Sequence, residues 1–344
     1  MSIGDIMTIA VDKDSLDIVN NKNEYIYLFK DEDDDYLLSL NMHCIRYDKC
    51  GYVDINLTNY DIDCIKKSNK NEKDFDKLEL IDYKIAIIIP NYNYSHTIEK
   101  CLNSIEEQTY KNYEVIFVDD VSTDNSVEIA KSFESKMNIK VIELKQKRLN
   151  GGARNEAYLH LSDDVDYVWY VDSDDWLYDE NVLTKINQRL QTKPDVLFVG
   201  IAQYNNNRLQ TYCIPTYIDK YQAFSGWSGS CGKVIRKSLA TRQECLYNEG
   251  TLKEDKNQHC KICIYMNTFN LMKEPAYVWN RQNYKSVTTV RDEIVWGTST
   301  IRHYADTLQL ALSVKGKDFI IDDLMQKRVD MTKEEMLSGN DRQY

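Results

Sequence analysis

The chain has 344 residues, of which 42% are hydrophobic and 28% charged, and it carries a net charge of −12. That composition is typical of a soluble globular protein, and no stretch reaches the roughly 18 apolar residues that span a bilayer. Residues 1–14 lack the basic start and apolar core of a signal peptide, and the nine scattered cysteines argue against a disulfide framework. We therefore expect a cytoplasmic protein. The frequent Asn, Asp, Lys and Ile residues are typical of an AT-rich genome, which indicates a bacterial or phage-infected host cell.

The N-terminal segment contains short runs of aromatic and aliphatic residues, such as 25–29 and 36–40, which flank an acidic turn at 31–35. Runs of this kind predict β-strands. Residues 66–73 are polar and show no periodicity, as in a linker. We therefore expect a small β-rich accessory module over residues 1–65 and a linker over 66–80.

The central segment alternates between strand-like and helix-like patterns. Residues 84–90 form an apolar run that ends at Pro90, and similar runs cover 113–118, 140–144 and 167–171. Helical patterns lie between them, one capped by Ser95 or Thr97 and another, over 153–161, opened by residues 150–152. This alternation predicts an α/β domain over 81–300, with a Rossmann-like, mostly parallel sheet flanked by helices. A helical C-terminal extension is expected over 301–344, where it could support oligomer formation.

Three carboxylates, Asp172, Asp174 and Asp175, follow the fourth predicted strand. Ligands of parallel α/β sheets collect at the carboxyl ends of the strands. Carboxylates this close together repel one another unless a cation lies among them, and their oxygens suit Mg²⁺ or Mn²⁺. A solvated acidic turn that caps the next helix is the structural alternative.

Four segments in order, 88–93 (IIPNYN), 117–126 (FVDDVSTDNS), 150–155 (NGGARN) and 170–175 (YVDSDD), resemble the family-2 type of inverting glycosyltransferase. The resemblance covers about residues 84–290. It implies a GT-A fold, with a nucleotide-sugar half over 81–204 and an acceptor half over 205–300. It also implies metal-dependent transfer, with Mn²⁺ or Mg²⁺, of a sugar from a UDP-sugar to an acceptor hydroxyl with inversion.

On the donor side, the resemblance implies that Pro90, Asn91 and Tyr92 line the nucleotide. Asp120 would accept a hydrogen bond from the uracil ring N–H, a donor that cytosine lacks. Arg154 would lie near the diphosphate or ribose. The alternatives are that Tyr92 packs its loop and that Asp120 caps a helix.

The resemblance assigns the metal to the acidic turn at 172–175, after the fourth predicted strand. Asp174 would be the main ligand, Asp172 would hold the ribose or the metal, and Asp175 would lie in or just behind the coordination sphere. Many relatives have a His shortly after the arginine that matches Arg281, where this chain has Asn283 and Tyr284, so a third protein ligand is in doubt.

On the acceptor side, the resemblance makes Asp255 the general base that deprotonates the acceptor hydroxyl, with Glu254 as the second choice. Both carboxylates would also stabilise a helix N-terminus. Lys233 and Arg236, in 228–238, and Arg281, in 277–288, match the acceptor region. A further departure is Val121, where relatives usually have Gly after the Asp pair.

The acceptor itself is left open between a saccharide and a hydroxymethylated base in phage DNA. Residues 205–300 carry 13 Lys and Arg against 8 Asp and Glu, a net charge of +5, which keeps an anionic acceptor in view. The rival functions are nucleotidyl transfer on a related fold and non-catalytic binding of a sugar nucleotide. The segment His259–Cys263 suggests zinc, but with no second Cys/His pair it is interpreted as core.

Overall fold

The computed structural model describes residues 7–11, 16–20, 27–31, 34–40, 44–48, 51–55, 81–217, 219–283, 293–316 and 319–338. The chain divides into two compact units. The first comprises Met1–Asp82 with Leu190–Pro194, and the second comprises Tyr83–Arg189 with Asp195–Tyr344.

The N-terminal unit contains two small antiparallel sheets. Its strands are β1 (Met7–Val11), β2 (Leu16–Asn20), β3 (Tyr27–Asp31), β4 (Asp34–Leu40), β5 (Cys44–Asp48) and β6 (Gly51–Ile55). One sheet has the order β2-β1-β4-β3, and β5 pairs with β6. The segments predicted at 25–29 and 36–40 correspond to β3 and β4. The proposed linker over 66–80 lies outside the described residues, so the domain boundaries stay a prediction.

The second unit is built on a nine-stranded sheet with the order β11-β15-β12-β14-β10-β7-β8-β9, and β13 pairs with β12. Its strands are β7 (Ile85–Asn91), β8 (Tyr113–Asp119), β9 (Ile139–Glu143), β10 (Tyr167–Tyr170), β11 (Trp176–Leu177), β12 (Val196–Asn205), β13 (Arg208–Cys213), β14 (Lys233–Arg236) and β15 (Phe269–Asn280). The helices are α1 (Ile98–Glu106), α2 (Ser126–Ser132), α3 (Leu149–Ala157), α4 (Val182–Leu190), α5 (Lys220–Ser225), α6 (Lys237–Ala240), α7 (Glu254–Tyr265), α8 (Glu293–Val314) and α9 (Phe319–Ser338).

The strands β9, β8, β7 and β10 pair in parallel, which confirms the strands predicted from the apolar runs. All residues of β7 and β8 are buried, as expected for strands covered on both faces. Beyond β10 the sheet becomes mixed, because β14 pairs antiparallel with both β10 and β12 while β12 and β15 are parallel. The carboxyl ends of β7, β8 and β10 therefore share one edge of the sheet.

The start of α3 differs from the expectation. The helix begins at Leu149, so Gly151 and Gly152 lie inside it, and a short 3₁₀ turn at Tyr158–His160 follows it. A Cβ on Gly151 would stand 2.9 Å from the carbonyl oxygen of Asn248, and one on Gly152 would stand 2.3 Å from the Cβ of Arg148. Glycine at position 151 lets the chain before α7 approach α3 closely, which helps bring the start of α7 to the carboxyl edge of the sheet, and glycine at position 152 makes room for the side chain of Arg148.

The C-terminal part of the second unit is helical, as expected, and α8 and α9 pack against each other. The first of these helices begins at Glu293, before the boundary expected at residue 301. Within the part of the chain that the structure describes, no helix has the length and apolar character needed to cross a membrane.

The turn after β8 reverses the chain through Val121, whose φ is +64°. The reversal lets Asp119 accept a hydrogen bond from the backbone N–H of Ser122 at 2.8 Å, and the hydroxyl of Ser122 accept one from the N–H of Asn93 at 2.9 Å. The left-handed conformation therefore ties the loop after β7 to the loop after β8. A β-branched residue is strained in this conformation, which glycine adopts without cost.

We predict that Val121→Gly raises the free energy of unfolding by about 1 kcal/mol, because relief of the strain outweighs the greater freedom of glycine in the unfolded chain. Urea unfolding measures the change. Val121→Ala is the matched variant and should recover only part of the gain, since alanine keeps a Cβ. Equal or lower stability of Val121→Gly would contradict the assigned strain.

Candidate functional site

The acidic turn after β10 places its three carboxylates in different surroundings. Asp175 is buried and accepts hydrogen bonds from the hydroxyl of Tyr277 and, at 2.7 Å, from the backbone N–H of Asn280. Asp174 accepts one from the amide of Asn283 at 2.7 Å. Asp172 is more open than Asp175, with 36% of its side chain exposed. Asp175 therefore fastens the turn to β15, and Asp172 and Asp174 are left facing the edge of the sheet.

Burial and mutual repulsion both raise the proton affinities of the carboxylates in this turn. Burial and the neighbouring charge of Asp172 raise the pKa of Asp174 to about 6. Burial, with Asp174 and Asp172 nearby, raises the pKa of Asp175 well above its ordinary value. The protein's own groups thus leave the negative charge of this turn only partly compensated, and a cation would relieve it.

The donor set fits a divalent cation that shares its coordination with a substrate. Asp172 gives one oxygen to an ion pair and Asp174 gives one to Asn283, so each keeps an oxygen for a metal. Both oxygens of Asp175 already accept hydrogen bonds from β15. Among the described residues no group of three His, Cys, Asp or Glu side chains is arranged to hold a metal. Mg²⁺ is commonly held by one or two carboxylates plus substrate phosphates, which is the arrangement that these residues could supply.

Arg154, on α3, is the centre of the site. Its side chain is only 3% exposed, and it donates 2.7 Å hydrogen bonds to Asp172 through Nη2 and to Glu254 through Nη1. The rings of Tyr170 and Tyr247 lie 5.9 Å and 5.2 Å from the guanidinium carbon. One buried cation therefore joins the turn after β10 to the start of α7, which is 100 residues away from Arg154 in the sequence.

The acidic pair at the start of α7 divides into a buried and a more open carboxylate. Glu254 is 4% exposed, and its burial raises its pKa to about 7 although Arg154 opposes the rise. Asp255 is partly exposed, and it accepts a hydrogen bond from the backbone N–H of Lys256 at 2.9 Å. Glu254 is thus committed to Arg154, and Asp255 is the member of the pair that a substrate can reach.

The expected nucleotide-side residues lie at the ends of β7 and β8. Asn91 donates a 2.8 Å hydrogen bond to Asp119, and the carbonyl of Pro90 accepts one from Ser173 in the acidic turn. The ring of Tyr92 is 38% exposed and carries the ammonium of Lys147 at 3.1 Å from its centre. The sheet therefore brings this group and the acidic turn to the same edge.

Asp120 is buried at the end of β8. Its carboxylate accepts hydrogen bonds from the backbone N–H groups of Arg148, at 2.6 Å, and Leu149, at 2.8 Å, just where α3 begins. Each carboxylate oxygen has a second lone pair, so these contacts orient Asp120 and leave it capacity to accept from a ligand.

The three cations expected in the acceptor region are in separate places. Lys233 is buried and donates to the carbonyls of Ser228, at 2.9 Å, and Gly229, at 2.6 Å, and burial lowers its pKa to about 8. Arg236 pairs across the sheet with Tyr167, at the start of β10, so it lies at the far end of that strand from the acidic turn.

Arg281 follows Asn280 directly, and its guanidinium carbon stands 4.4 Å from the centre of the Trp279 ring. Of the three cations it is the one that adjoins the residues contacting the acidic turn. Lys233 instead holds a turn of the main chain, and Arg236 forms an ion pair with Asp195 at 3.2 Å.

Four residues of the site were not singled out by sequence reasoning: Tyr277, Asn280, Asn283 and His96. Asn283 was noted only as a departure from relatives, yet it contacts both Asp174 and, at 3.3 Å, Nε2 of His96. Such contacts between distant segments leave no periodic signal in the sequence. The interpretation of His259–Cys263 as core is confirmed, since His259, Cys260 and Cys263 are all buried.

We predict that Arg154→Met lowers the free energy of unfolding by about 3 kcal/mol, because it leaves the buried carboxylate of Glu254 without its cation. Urea unfolding at neutral pH measures the change. The control is Arg148→Met, which removes an arginine that is 34% exposed and pairs with Glu156 and Glu249. Its loss should stay below about 1 kcal/mol. Equal losses for the two variants would contradict the central role of Arg154.

Comparison with known proteins matches residues 86–273, more than half of the chain, to the family described as glycosyl transferase family 2. Glycosyltransferase GlyA of Streptococcus pneumoniae is 37% identical over 134 residues, which is 39% of this chain and 19% of GlyA. Poly(ribitol-phosphate) beta-N-acetylglucosaminyltransferase TarS of Staphylococcus aureus is 33% identical over 203 residues, 57% of this chain and 35% of TarS. The chain thus spans less than half the length of either relative.

Among solved structures, that of residues 1–349 of S. aureus TarS in complex with UDP-GlcNAc superposes with a TM-score of 0.59 at 20% identity. The superposition covers 74% of this chain and 71% of the TarS chain. The shared fold confirms the expected GT-A type of α/β architecture with its helical C-terminal tail. With a family match over more than half of its length, the chain belongs to glycosyl transferase family 2.

Proposed function

We propose that this chain transfers a sugar from a UDP-sugar to a hydroxyl of a saccharide, with inversion at the anomeric carbon. The observation that supports this most is the buried bridge through Arg154, which brings Asp172 and the start of α7 to either side of one guanidinium. An inverting transfer needs a leaving-group site and a base on opposite sides of the sugar. The bridge through Arg154 sets the distance between the proposed leaving-group site and the proposed base. The matched relatives are named as glycosyltransferases.

The donor nucleotide is proposed to lie across the ends of β7 and β8. Asp120 is oriented by two backbone N–H groups and keeps lone pairs for the ring N–H of uracil. Cytosine has no donor at that ring position, so this contact favours a uridine nucleotide. Tyr92 offers an exposed ring beside it. TarS, whose fold the chain shares, was solved in complex with UDP-GlcNAc, a donor of this class.

A Mn²⁺ or Mg²⁺ ion is proposed to be held by Asp174 and Asp172 together with the donor diphosphate. Bound there, the cation would neutralise charge on the departing nucleoside diphosphate. The chain's own residues set this up. Asn283 orients Asp174, Arg154 orients Asp172, and Asp175 ties the turn to β15.

Asp255 is proposed as the general base. Its carboxylate would take the proton of the acceptor hydroxyl while the hydroxyl oxygen bonds to the anomeric carbon and the bond to the diphosphate oxygen breaks. Glu254 would act as a positioning residue, because its carboxylate is engaged by Arg154 and it fixes the start of α7. The partial exposure of Asp255 is what an acceptor-side base requires.

The rival functions find less support. Nucleotidyl transfer would need a Gly-rich, basic phosphate loop after the first strand, and residues 91–95 (NYNYS) contain neither glycine nor a cation. A DNA acceptor has no support among the relatives named above, and a further relative, WfgD of Escherichia coli, is named for glucosyl transfer to alpha-D-GlcNAc-diphosphoundecaprenol, a saccharide acceptor. A saccharide acceptor is therefore the preferred proposal.

We predict that Asp255→Asn lowers kcat for sugar transfer by about 10²- to 10⁴-fold, because the acceptor hydroxyl loses its base. The KM for the donor should change little, since Asp255 lies on the acceptor side. Nucleotide release from a panel of UDP-, GDP- and CDP-sugars, with Mn²⁺ and with EDTA, measures donor class and metal dependence. Asp174→Asn should abolish the response to Mn²⁺.

Asp163→Asn, at an exposed carboxylate in the loop before β10 and so at the opposite end of that strand from the acidic turn, is the control and should retain full activity. Full turnover by Asp255→Asn would contradict the assignment of Asp255 as the general base. Nucleotide release that EDTA does not reduce, or no release from any donor, would overturn the proposed function.

A further inference from the structure

A groove of about 600 Å³ lies beside the acidic turn, between α1 and residues 176–180. Residues 176–180 follow the acidic turn directly in the sequence, and β11 at their start pairs with β15. The groove takes no part in the contacts described above for the donor nucleotide or for the proposed base. A built concavity of this size next to a reacting centre is a binding-site candidate.

The groove is connected to the acidic turn through one hydrogen-bonded pair. His96, at its end nearest the turn, contacts the amide oxygen of Asn283 at 3.3 Å, and the nitrogen of that amide donates to Asp174. From His96 the groove follows α1 as far as Glu107, a helical length of about 15 Å. It therefore runs from the reaction edge outward, as the site of an extended substrate would.

The lining combines aromatic rings with hydrogen-bonding groups. Tyr178 is 39% exposed and offers an open ring. The ammonium of Lys100 lies 3.1 Å from the ring centre of Trp176. The indole therefore holds the N–H donors of Lys100 in place on this side of the groove. Asn103 and Glu99 line the helix side. Aromatic surface interleaved with donors and acceptors suits a hydroxyl-rich ring with apolar C–H faces.

The charge of the groove selects against anions. Glu99, Glu107 and Glu180 face it with Lys100, while the fourth carboxylate, Asp179, is paired with Lys185 at 2.7 Å. Like charges across a binding surface oppose association with a polyanion. The groove is thus acidic even though residues 205–300 carry a positive net charge.

We propose that this groove binds an uncharged stretch of the acceptor saccharide, several sugars long, beyond the sugar that receives the transfer. The inference rests on the proposed function, because Asp174 marks the edge at which the donor would react, and the acceptor would extend from the groove across that edge to Asp255 on α7. The proposed acceptor differs in charge from that of TarS, which is named for a poly(ribitol-phosphate) acceptor.

The test uses the full chain with UDP on an array of neutral oligosaccharides of one to eight sugars, with poly(ribitol phosphate) as the anionic probe. The wild-type chain is expected to bind neutral chains of several sugars and to leave poly(ribitol phosphate) unbound. Tyr178→Ala should weaken binding of the best neutral chain about tenfold, since it removes the stacking ring. In transfer assays that loss should appear in the KM for the acceptor more than in kcat.

Charge reversal provides the matched comparison. Glu99→Lys with Glu107→Lys should create binding to poly(ribitol phosphate), whereas Glu128→Lys with Glu134→Lys makes the same change in net charge on exposed positions elsewhere and should not. Leu159→Ala, at a side chain that is 77% exposed, is the control for loss of apolar surface.

The inference is overturned if the wild-type chain prefers poly(ribitol phosphate), if no saccharide binds, or if Tyr178→Ala behaves like Leu159→Ala. Release of UDP by hydrolysis of the donor distinguishes a failure of the proposed function from a failure of the groove proposal. Its absence with every donor removes the proposed function, and its presence with an indifferent Tyr178→Ala variant removes the groove alone.

Discussion

A single buried guanidinium organises this site. Arg154 is almost fully enclosed, and its two terminal nitrogens bind Asp172, at the end of a central strand, and Glu254, at the start of α7. A buried charge is tolerated only when it is paired and hydrogen bonded, so the positions of both carboxylates are fixed by the same cation. The distance between the donor edge and the proposed base follows from this bridge, because Asp255 is the residue next to Glu254.

Two other features make the bridge geometrically feasible. Gly151 lets the segment before α7 approach α3 more closely than any side chain would allow. On the other side, Asp175 is held by Tyr277 and by the backbone of Asn280, which prevents the acidic turn from relaxing away from the sheet. The turn keeps its carboxylates close together, and burial, with the charge of Asp172 nearby, raises the pKa of Asp174. A site that concentrates only partly neutralised carboxylates in this way is prepared for a cation and a diphosphate.

The sequence predicted the parallel half of the sheet well because apolar runs such as 84–90 carry their own signal of burial. It also predicted the convergence of Asp120 and Asp174, because strand ends meet at one edge. It did not predict that α3 contains its glycines, since only contacts in the folded chain explain them, with Asn248 at Gly151 and with Arg148 at Gly152. Nor did the sequence show that Arg236 lies away from the site. Its position depends on the antiparallel pairing of β14 with β10, which residues 233–236 do not encode. The role of Asn283 likewise depends on contacts between distant segments.

A double-mutant cycle tests the central claim most directly. Asp172→Asn and Glu254→Gln, alone and together, are compared by kcat/KM for UDP-sugar turnover, in the wild-type background and with Arg154→Met. If Arg154 couples the two carboxylates, the single effects will fail to add by about 1 kcal/mol or more, and the coupling will vanish in Arg154→Met. Additivity within about 0.5 kcal/mol in the wild-type background would contradict the account.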